Sequence, residues 1–117
     1  MKNTSIITDN KVFTNLYKRG KYAAGKAVTV YYKKNPRGQT RLGITTGKKI
    51  GGAVVRSRCR RIIRAAYAEC DFPKGYDYII VARPGCGEVK STNISGFFKM
   101  KVIPAVKKTT KQKDEKK

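Results

Sequence analysis

The chain has 117 residues, and its 28 Lys and Arg against 7 Asp and Glu give a formal net charge of +21. This length suits one domain, and the lack of histidine excludes Ser-His-Asp catalysis, Cys-His catalysis and His-based metal sites. The longest apolar run, residues 78–82, is far shorter than the roughly 20 residues that span a bilayer. No stretch near the N-terminus suits a secretory signal, so the sequence predicts a soluble, cytoplasmic domain.

The basic residues are concentrated in one part of the chain. Residues 10–68 contain 16 Lys and Arg and no acidic residue. Surfaces usually mix both signs, and uncompensated like charge disfavours a compact state. Solvated lysines explain only a few of these residues, so we expect the segment to bind a polyanion, with nucleic acid favoured. An anionic membrane surface is the minor alternative, because no amphipathic stretch is free of a role in the core.

Cysteine usage fits a reducing compartment. The three cysteines, Cys59, Cys70 and Cys86, form no CxxC pair, and their number is odd. Reduced thiols in a cytosolic protein are the simplest interpretation. A zinc knuckle needs four ligands at short spacing, so no metal site is predicted.

The N-terminal part of the chain predicts one short helix. Residues 1–8 are expected to be a flexible lead-in, and Asp9 or Asn10 suits the N-cap. The apolar residues within 11–19 recur at helical spacing and form one face. Gly20 suits the position just after the helix.

Two strands are predicted next. Residues 27–32 read AVTVYY and residues 41–46 read RLGITT, both rich in β-branched side chains. Between them, residues 35–38 (NPRG) predict a turn, because proline fixes φ and glycine permits positive φ. The two strands are therefore predicted to pair as a hairpin with a basic loop.

The strongest helix signal covers residues 53–70. Its apolar side chains fall within an arc of roughly 140° and predict a core face, formed by Val55, Cys59, Ile62, Ile63, Ala66 and Tyr67. Five arginines occupy the rest of the surface: Arg56, Arg58, Arg60, Arg61 and Arg64. Like charges four residues apart destabilise a helix by a few tenths of a kcal/mol per pair. We therefore expect the cluster to bind an anion.

The composition of this helix favours RNA over DNA. Reading of DNA bases usually also uses Asn or Gln to reach adenine, and the arginine segment contains neither. Dense arginine without such partners suits phosphates and folded RNA shape. Lys48, Lys49 and the open N–H groups that follow the Gly51-Gly52 pair add to the same anion site.

The remaining chain predicts a strand, a weaker helix and a tail. Residues 76–83 read as a strand whose apolar centre is buried on both faces, and residues 93–106 as a helix weakened by Gly96 and Pro104. Residues 107–117 have no apolar residue and are expected to be a basic disordered tail. The order α-β-β-α-β-α predicts an α+β fold, a two-layer α/β sandwich with helices packed on a small central sheet. A single domain would cover residues 9–106.

One segment resembles a known family. Residues 41–44 (RLGI) and 47–67 (GKKIGGAVVRSRCRRIIRAAY) resemble the protein subunit of bacterial ribonuclease P. That family carries the signature K-x-x-G-N-A-V-x-R-N-R-x-K-R-x-x-R, and the resemblance extends from about residue 9 to residue 83. The signature's two asparagines are replaced by Gly52 and Ser57, and one of its lysines by Arg60.

The resemblance implies a role in tRNA maturation. Ribonuclease P removes the 5′ leader from precursor tRNA, and in bacteria its RNA subunit is the catalyst and uses Mg²⁺, which is bound mainly by the RNA. The small basic protein binds that RNA and the leader, so neither catalytic residues nor an obligate protein partner are expected in this chain. The matching RNA-binding residues are Lys48, Lys49, Arg56, Ser57, Arg58, Arg60, Arg61 and Arg64.

The resemblance also implies a cleft between a helix and strands that binds the single-stranded leader. Phe13, Tyr17 and Tyr31 match the aromatic residues that line this cleft in the family. From spacing alone, Phe13 and Tyr17 are more simply explained as core packing. The alternative function is a ribosomal or other structural RNA-binding protein, which explains the charge equally well and differs only in lacking this signature.

Overall fold

The computed structural model of the chain describes residues 4–7 and 10–115. Nine elements of regular structure are present in this part of the chain, with short 3₁₀ turns at Lys48–Ile50 and Cys86–Glu88. In chain order they are β1 (Thr4–Ile6), α1 (Asn10–Arg19), β2 (Lys21–Ala24), β3 (Val28–Lys34), β4 (Thr40–Thr45), α2 (Ala53–Ala68), β5 (Tyr76–Ala82), α3 (Ser91–Phe97) and α4 (Ile103–Glu115).

The strands form one five-stranded sheet in the order β1-β4-β5-β3-β2. Strand β5 is central: it runs parallel to β4 and antiparallel to β3. The predicted hairpin is therefore wrong, since β3 and β4 each pair with β5 and not with each other. The physical reason is that β5 is buried on both faces, so it belongs at the centre of the sheet, and α2 supplies the crossover that parallel strands need.

The larger part of the core lies between the sheet and α2. Tyr78 and Ile80 of β5 point to this side, where they join Cys59 and Ile63 of α2. The C-terminal helical segment completes the same layer with five further buried side chains, Ile94, Phe98, Val102, Ile103 and Val106. The predicted α+β sandwich is confirmed. The apolar face predicted for the long helix packs against the sheet, as expected.

Of the elements that the structure describes, only α1 covers the opposite face of the sheet. Here Leu16 of α1 packs on Ile79 of β5 and on Ile7. Half-buried side chains border this small cluster, among them Phe13 and Tyr31. Because a ten-residue helix cannot cover a five-stranded sheet, part of this face remains accessible.

The chain ends differ from expectation on both sides. Within the predicted flexible lead-in, residues 4–6 form β1, which pairs in parallel with β4. Within the predicted disordered tail, α4 continues to Glu115, because neither proline nor glycine follows Pro104 and Val106 anchors the helix in the core. The proposed N-cap at Asp9 lies outside the described residues, and Asn10 is the first residue of α1.

The weaker helix predicted at residues 93–106 is one part of a longer helical segment. A π-helical turn at Phe98–Val102 joins α3 to α4 just before Pro104. Proline removes one helical hydrogen bond, and a π turn accommodates that loss without ending the helix. No helix in the described residues is long and apolar enough to cross a membrane.

Candidate nucleic-acid interface

The chain enters α2 through a tight glycine turn. Gly51 has φ +144°, and a Cβ at this position would lie 3.1 Å from Cβ of Val55, so glycine is required here. Gly52 is the N-cap and provides no side-chain hydrogen bond to the first turn, which contains no acidic residue. The positive end of α2 is therefore not neutralised by its own first turn.

The five arginines of α2 fall into three groups. Arg58, Arg61 and Arg64 are exposed on the outer side of the helix. Arg60 is partly buried, and its Nη1 donates a 2.8 Å hydrogen bond to Oγ1 of Thr46, just after β4. Arg56 is also partly buried, and its Nε is buried without a hydrogen-bond partner. The exposed group is free to meet a ligand, whereas Arg60 docks α2 to the sheet.

The remaining predicted residues of this surface are exposed. Lys48 and Lys49 lie on the 3₁₀ turn before α2. Ser57 lies on α2 and accepts a 3.2 Å hydrogen bond from Nη2 of Arg60. The hydroxyl group of Ser57 thus helps to orient the guanidinium of Arg60 on the same helix. We call Lys48, Lys49, Arg58, Arg61 and Arg64 the α2 surface.

The three predicted cleft residues meet on the α1 side of the sheet. Phe13 lies against Gly43 of β4, where an added Cβ would be 2.8 Å from Cζ of the ring. The ring centroids of Phe13 and Tyr17 are 6.5 Å apart, and Tyr17 meets Tyr31 edge-on at 4.9 Å. Tyr17 is 43% exposed, so this group is not simply core packing.

A fourth ring continues this group and was not found from the sequence. Tyr22 lies on β2, opposite Tyr31 in the antiparallel register. Their ring centroids are 5.6 Å apart, and Tyr22 is 64% exposed. The segment KYAA has a weak strand pattern, so only its pairing with β3 reveals that this ring joins the others. We call Phe13, Tyr17, Tyr31 and Tyr22 the aromatic row.

Polar groups lie at one end of the same sheet face. Lys33, two residues after Tyr31, donates a 2.8 Å hydrogen bond from Nζ to Oδ1 of Asn15 on α1. The carboxylate of Asp77 accepts two hydrogen bonds from Arg41, at 2.8 and 2.7 Å, and a third from Nδ2 of Asn35 at 2.9 Å. Asp77 is thus fully engaged in joining β3, β4 and β5.

Among the described residues, no three potential ligands of the His, Cys, Asp and Glu types are grouped to hold a metal ion.

All three cysteines are free thiols. Cys59 of α2 and Cys86 are completely buried. Burial, together with the adjacent Cys59 thiol, raises the pKa of Cys86 to about 12. Burial also raises the pKa of Cys70, so these two thiols stay protonated and unreactive at neutral pH.

Comparison with known proteins identifies the family. The family model for Ribonuclease P matches residues 1–106. The chain belongs to this family. The resemblance expected from the arginine helix is therefore confirmed, and the match extends beyond residue 83 into the C-terminal helices.

Individual members of the ribonuclease P family agree with this assignment. The chain is 48% identical over 80 residues to the ribonuclease P protein component of Brevibacillus brevis, a match that spans 65% of this chain and 63% of that protein. It is 31% identical over 110 residues to the component of Alkaliphilus metalliredigens, covering 88% and 99% of the two chains. The solved structure of the RNase P protein of Staphylococcus aureus superposes with a TM-score of 0.72 at 28% identity, covering 88% of this chain and 94% of that one.

Proposed function

We propose that this chain is the non-catalytic protein subunit of a ribonuclease P ribonucleoprotein. In this proposal the α2 surface binds the catalytic RNA, and the aromatic row binds the 5′ leader of precursor tRNA. The observation that carries this proposal is the placement of two different surfaces on opposite sides of one sheet. Exposed cations lie on α2 on one side, and the half-exposed rings of the aromatic row lie on the other side. The arrangement lets one small domain hold two RNA segments at once.

Charge and exposure support the assignment of the α2 surface to the catalytic RNA. Its five cations lie within 17 positions of the chain, and all are exposed. Exposed cations on a rigid helix bind phosphates and release the counterions condensed on RNA. The partly buried Arg56 stands at the edge of this surface with an unpaired Nε.

Ring geometry supports the assignment of the aromatic row to a single strand. Neighbouring rings lie 4.9–6.5 Å apart, wider than the ~3.4 Å repeat of bases stacked along a duplex strand. An unpaired leader presents its bases to such rings more readily than a helix, whose bases are already paired and stacked. Stacking of one base on an aromatic side chain contributes roughly 1–3 kcal/mol and tolerates any sequence.

The carboxylates whose side chains the structure describes are poorly arranged for cleavage by the protein itself. Two-metal hydrolysis of a phosphodiester needs clustered Asp and Glu. Asp77 is held by Arg41 and Asn35, and Glu69, Asp71 and Glu88 are exposed and separate from the aromatic row in the fold. In the proposal the RNA subunit performs the cleavage, and Mg²⁺ is bound mainly by that RNA.

Reconstitution tests the proposal directly. The purified protein, the matching RNA subunit and their mixture are each incubated with precursor tRNA at low Mg²⁺, and the 5′ end of the product is mapped. We expect cleavage at the mature 5′ end in the mixture and none with the protein alone. Cleavage by RNA-free protein at that position would refute the non-catalytic role. Binding to ribosomal RNA with no stimulation of the RNA subunit would support the structural RNA-binding alternative.

A further inference from the structure

The ring of Tyr22 stands where the sheet ends. Strand β2 is an edge strand whose residues are exposed except for the half-buried Ala23. The neighbour of Tyr22 on the same face of the strand is Ala24, a small residue that leaves the ring uncovered. Tyr22 therefore has one side against Tyr31 and the other side accessible, and it is the most exposed ring in the aromatic row.

Basic residues lie near Tyr22, at the end of the β2–β3 ladder. A pocket of about 200 Å³ at this end is lined by Arg19, Lys21, Lys33 and Lys34, and also by Tyr32 and Tyr76 of the core on the other sheet face. Three of these residues, Arg19, Lys21 and Lys34, are exposed. A nucleic-acid strand that leaves the aromatic row over β2 would therefore find cations for its phosphates at the same edge of the sheet.

We propose that Tyr22 is a further leader-binding residue, which stacks one base beyond the base held at Tyr31. The cleft then contacts one nucleotide more than Phe13, Tyr17 and Tyr31 alone would contact. This inference rests on the proposed function, because it assigns Tyr22 to the same leader. An exposed ring on an edge strand otherwise adds an apolar surface that invites unwanted association, and a stacked base gives that ring a partner.

A competing explanation is that Tyr22 only supports Tyr31. Three variants separate the two roles, and folding should survive in all of them because Tyr22 is largely exposed. Tyr22→Ala removes the ring, Tyr22→Phe keeps it, and Tyr22→Ile keeps strand propensity and apolar contact with Tyr31 while removing the stacking face. Circular dichroism and thermal unfolding of each variant check the fold.

The experiment is a coupling measurement in the reconstituted holoenzyme. Affinity is measured for mature tRNA, for precursor tRNA with an intact leader, and for precursors in which single leader nucleotides are abasic in turn. Tyr22→Ala and Tyr22→Ile should each lose about five- to tenfold in affinity for the intact precursor, the lower range for one stacked base. Tyr22→Phe and all binding of mature tRNA should stay near wild type.

The abasic series identifies the base that Tyr22 holds. At one leader position, removal of the base should lower the affinity of the wild type for the precursor. The same removal should not lower the affinity of Tyr22→Ala further, because that variant has already lost the stacking contact. This position should differ from the one that is insensitive in Tyr31→Ala. A shared position, or wild-type affinity of Tyr22→Ile, would show that Tyr22 only supports Tyr31 and would overturn the inference.

The proposed function and this inference fail in different ways. If Tyr31→Ala binds precursor as well as wild type does, leader binding by the aromatic row is wrong, and the assignment of Tyr22 is wrong with it. If Tyr31→Ala discriminates poorly between precursor and mature tRNA while Tyr22→Ala behaves as wild type, only the inference on Tyr22 is wrong.

Discussion

The two faces of the sheet are built from the same strands and have opposite characters. On the α2 face, helices α2, α3 and α4 bury a continuous core, and Arg58, Arg61 and Arg64 of α2 are exposed on its outer side. On the α1 face, one short helix buries three residues, and aromatic side chains remain half exposed around them. In β5 the side chains of adjacent residues alternate between these environments, with Ile79 on one face and Ile80 on the other.

In the proposed function, this contrast gives a small domain two kinds of RNA contact. A completed core makes α2 rigid, so its outer cations are held in a fixed pattern that suits a folded RNA. An incompletely covered face leaves rings accessible, which suits a flexible single strand. On the α2 face, different residues therefore provide stability and ligand binding. On the α1 face, the same residues serve both purposes.

The largest effect on stability is expected from replacing two adjacent isoleucines of β5, Ile79 and Ile80. Both are fully buried, so Ile80→Ala and Ile79→Ala should each lower the free energy of unfolding by about 2–5 kcal/mol. The loss should be smaller for Ile79, because the half-exposed residues around it can close into the cavity. Urea unfolding of both variants in the same buffer measures the two values.

These two variants also separate the functions of the faces. Ile79 supports the cluster that contains Phe13 and Tyr31, so Ile79→Ala should reduce discrimination between precursor and mature tRNA under conditions where it is folded. Ile80→Ala should leave discrimination unchanged under the same conditions. Equal loss of discrimination in both variants would contradict a functional difference between the faces.

The next effect concerns the arginines of α2. Replacing Arg56, Arg58 and Arg61 together by Ala should weaken binding to the catalytic RNA by about 10- to 100-fold at moderate salt. Each lost phosphate contact should also reduce the slope of log affinity against log salt by roughly 0.7–0.9. Titration of the RNA subunit at several salt concentrations gives both numbers, and an unchanged slope would place these residues in solvent.

Arg60→Ala and Arg58→Ala form a matched pair that separates docking of α2 from RNA binding. Because its guanidinium is bonded to Thr46 and Ser57, Arg60→Ala should lower stability by about 1 kcal/mol. Its effect on the salt dependence of RNA binding should be smaller than that of Arg58→Ala. If Arg60→Ala changed the slope of log affinity against log salt more than Arg58→Ala did, Arg60 would be the RNA-binding residue and its assignment to docking would be wrong.

A smaller effect is expected in the aromatic row. Tyr31→Ala should cost about 1–2 kcal/mol of affinity for precursor tRNA in the holoenzyme, since one stacking surface is lost. Binding of mature tRNA and assembly with the RNA subunit should barely change. Equal losses for both tRNAs would show that Tyr31 is a structural residue and that the leader binds elsewhere.

The smallest effect is expected at the start of α2. Gly52 is the N-cap, and a Cβ added there meets nothing within 4 Å. Asparagine is a preferred N-cap and exceeds glycine by a few tenths of a kcal/mol, so Gly52→Asn should raise the melting temperature slightly. Differential scanning calorimetry measures this change, and a lower melting temperature would mean that the cap region requires glycine at 52 as well as at 51.

Local patterns predicted the elements whose signals are contained within one segment. The long arginine helix was predicted from the 3.6-residue repeat of its apolar face, and β5 from its uninterrupted apolar run. The first helix was likewise predicted to within one residue. In each case the hydrophobic pattern, the flanking glycine or proline and the burial in the fold agree.

Pairing between distant segments was not accessible in the same way. Nothing local in the sequence indicates that β5 separates β3 from β4, because strand order depends on contacts between residues more than 30 positions apart. Strand β2 exists only through its hydrogen bonds to β3, so Tyr22 was missed with it. The extended α4 was missed because a polar segment that continues an anchored helix has no apolar periodicity of its own.

The central position of β5 has a consequence for synthesis of the chain. Strands β3 and β4 leave the ribosome before β5, yet both depend on this partner, which ends at Ala82. Until that residue emerges, the nascent chain carries two strands with open edges and most of its arginines, a state prone to misassociation. Translation of the last strand is therefore the event that closes the sheet, and any truncation before residue 82 leaves a polycation without a core.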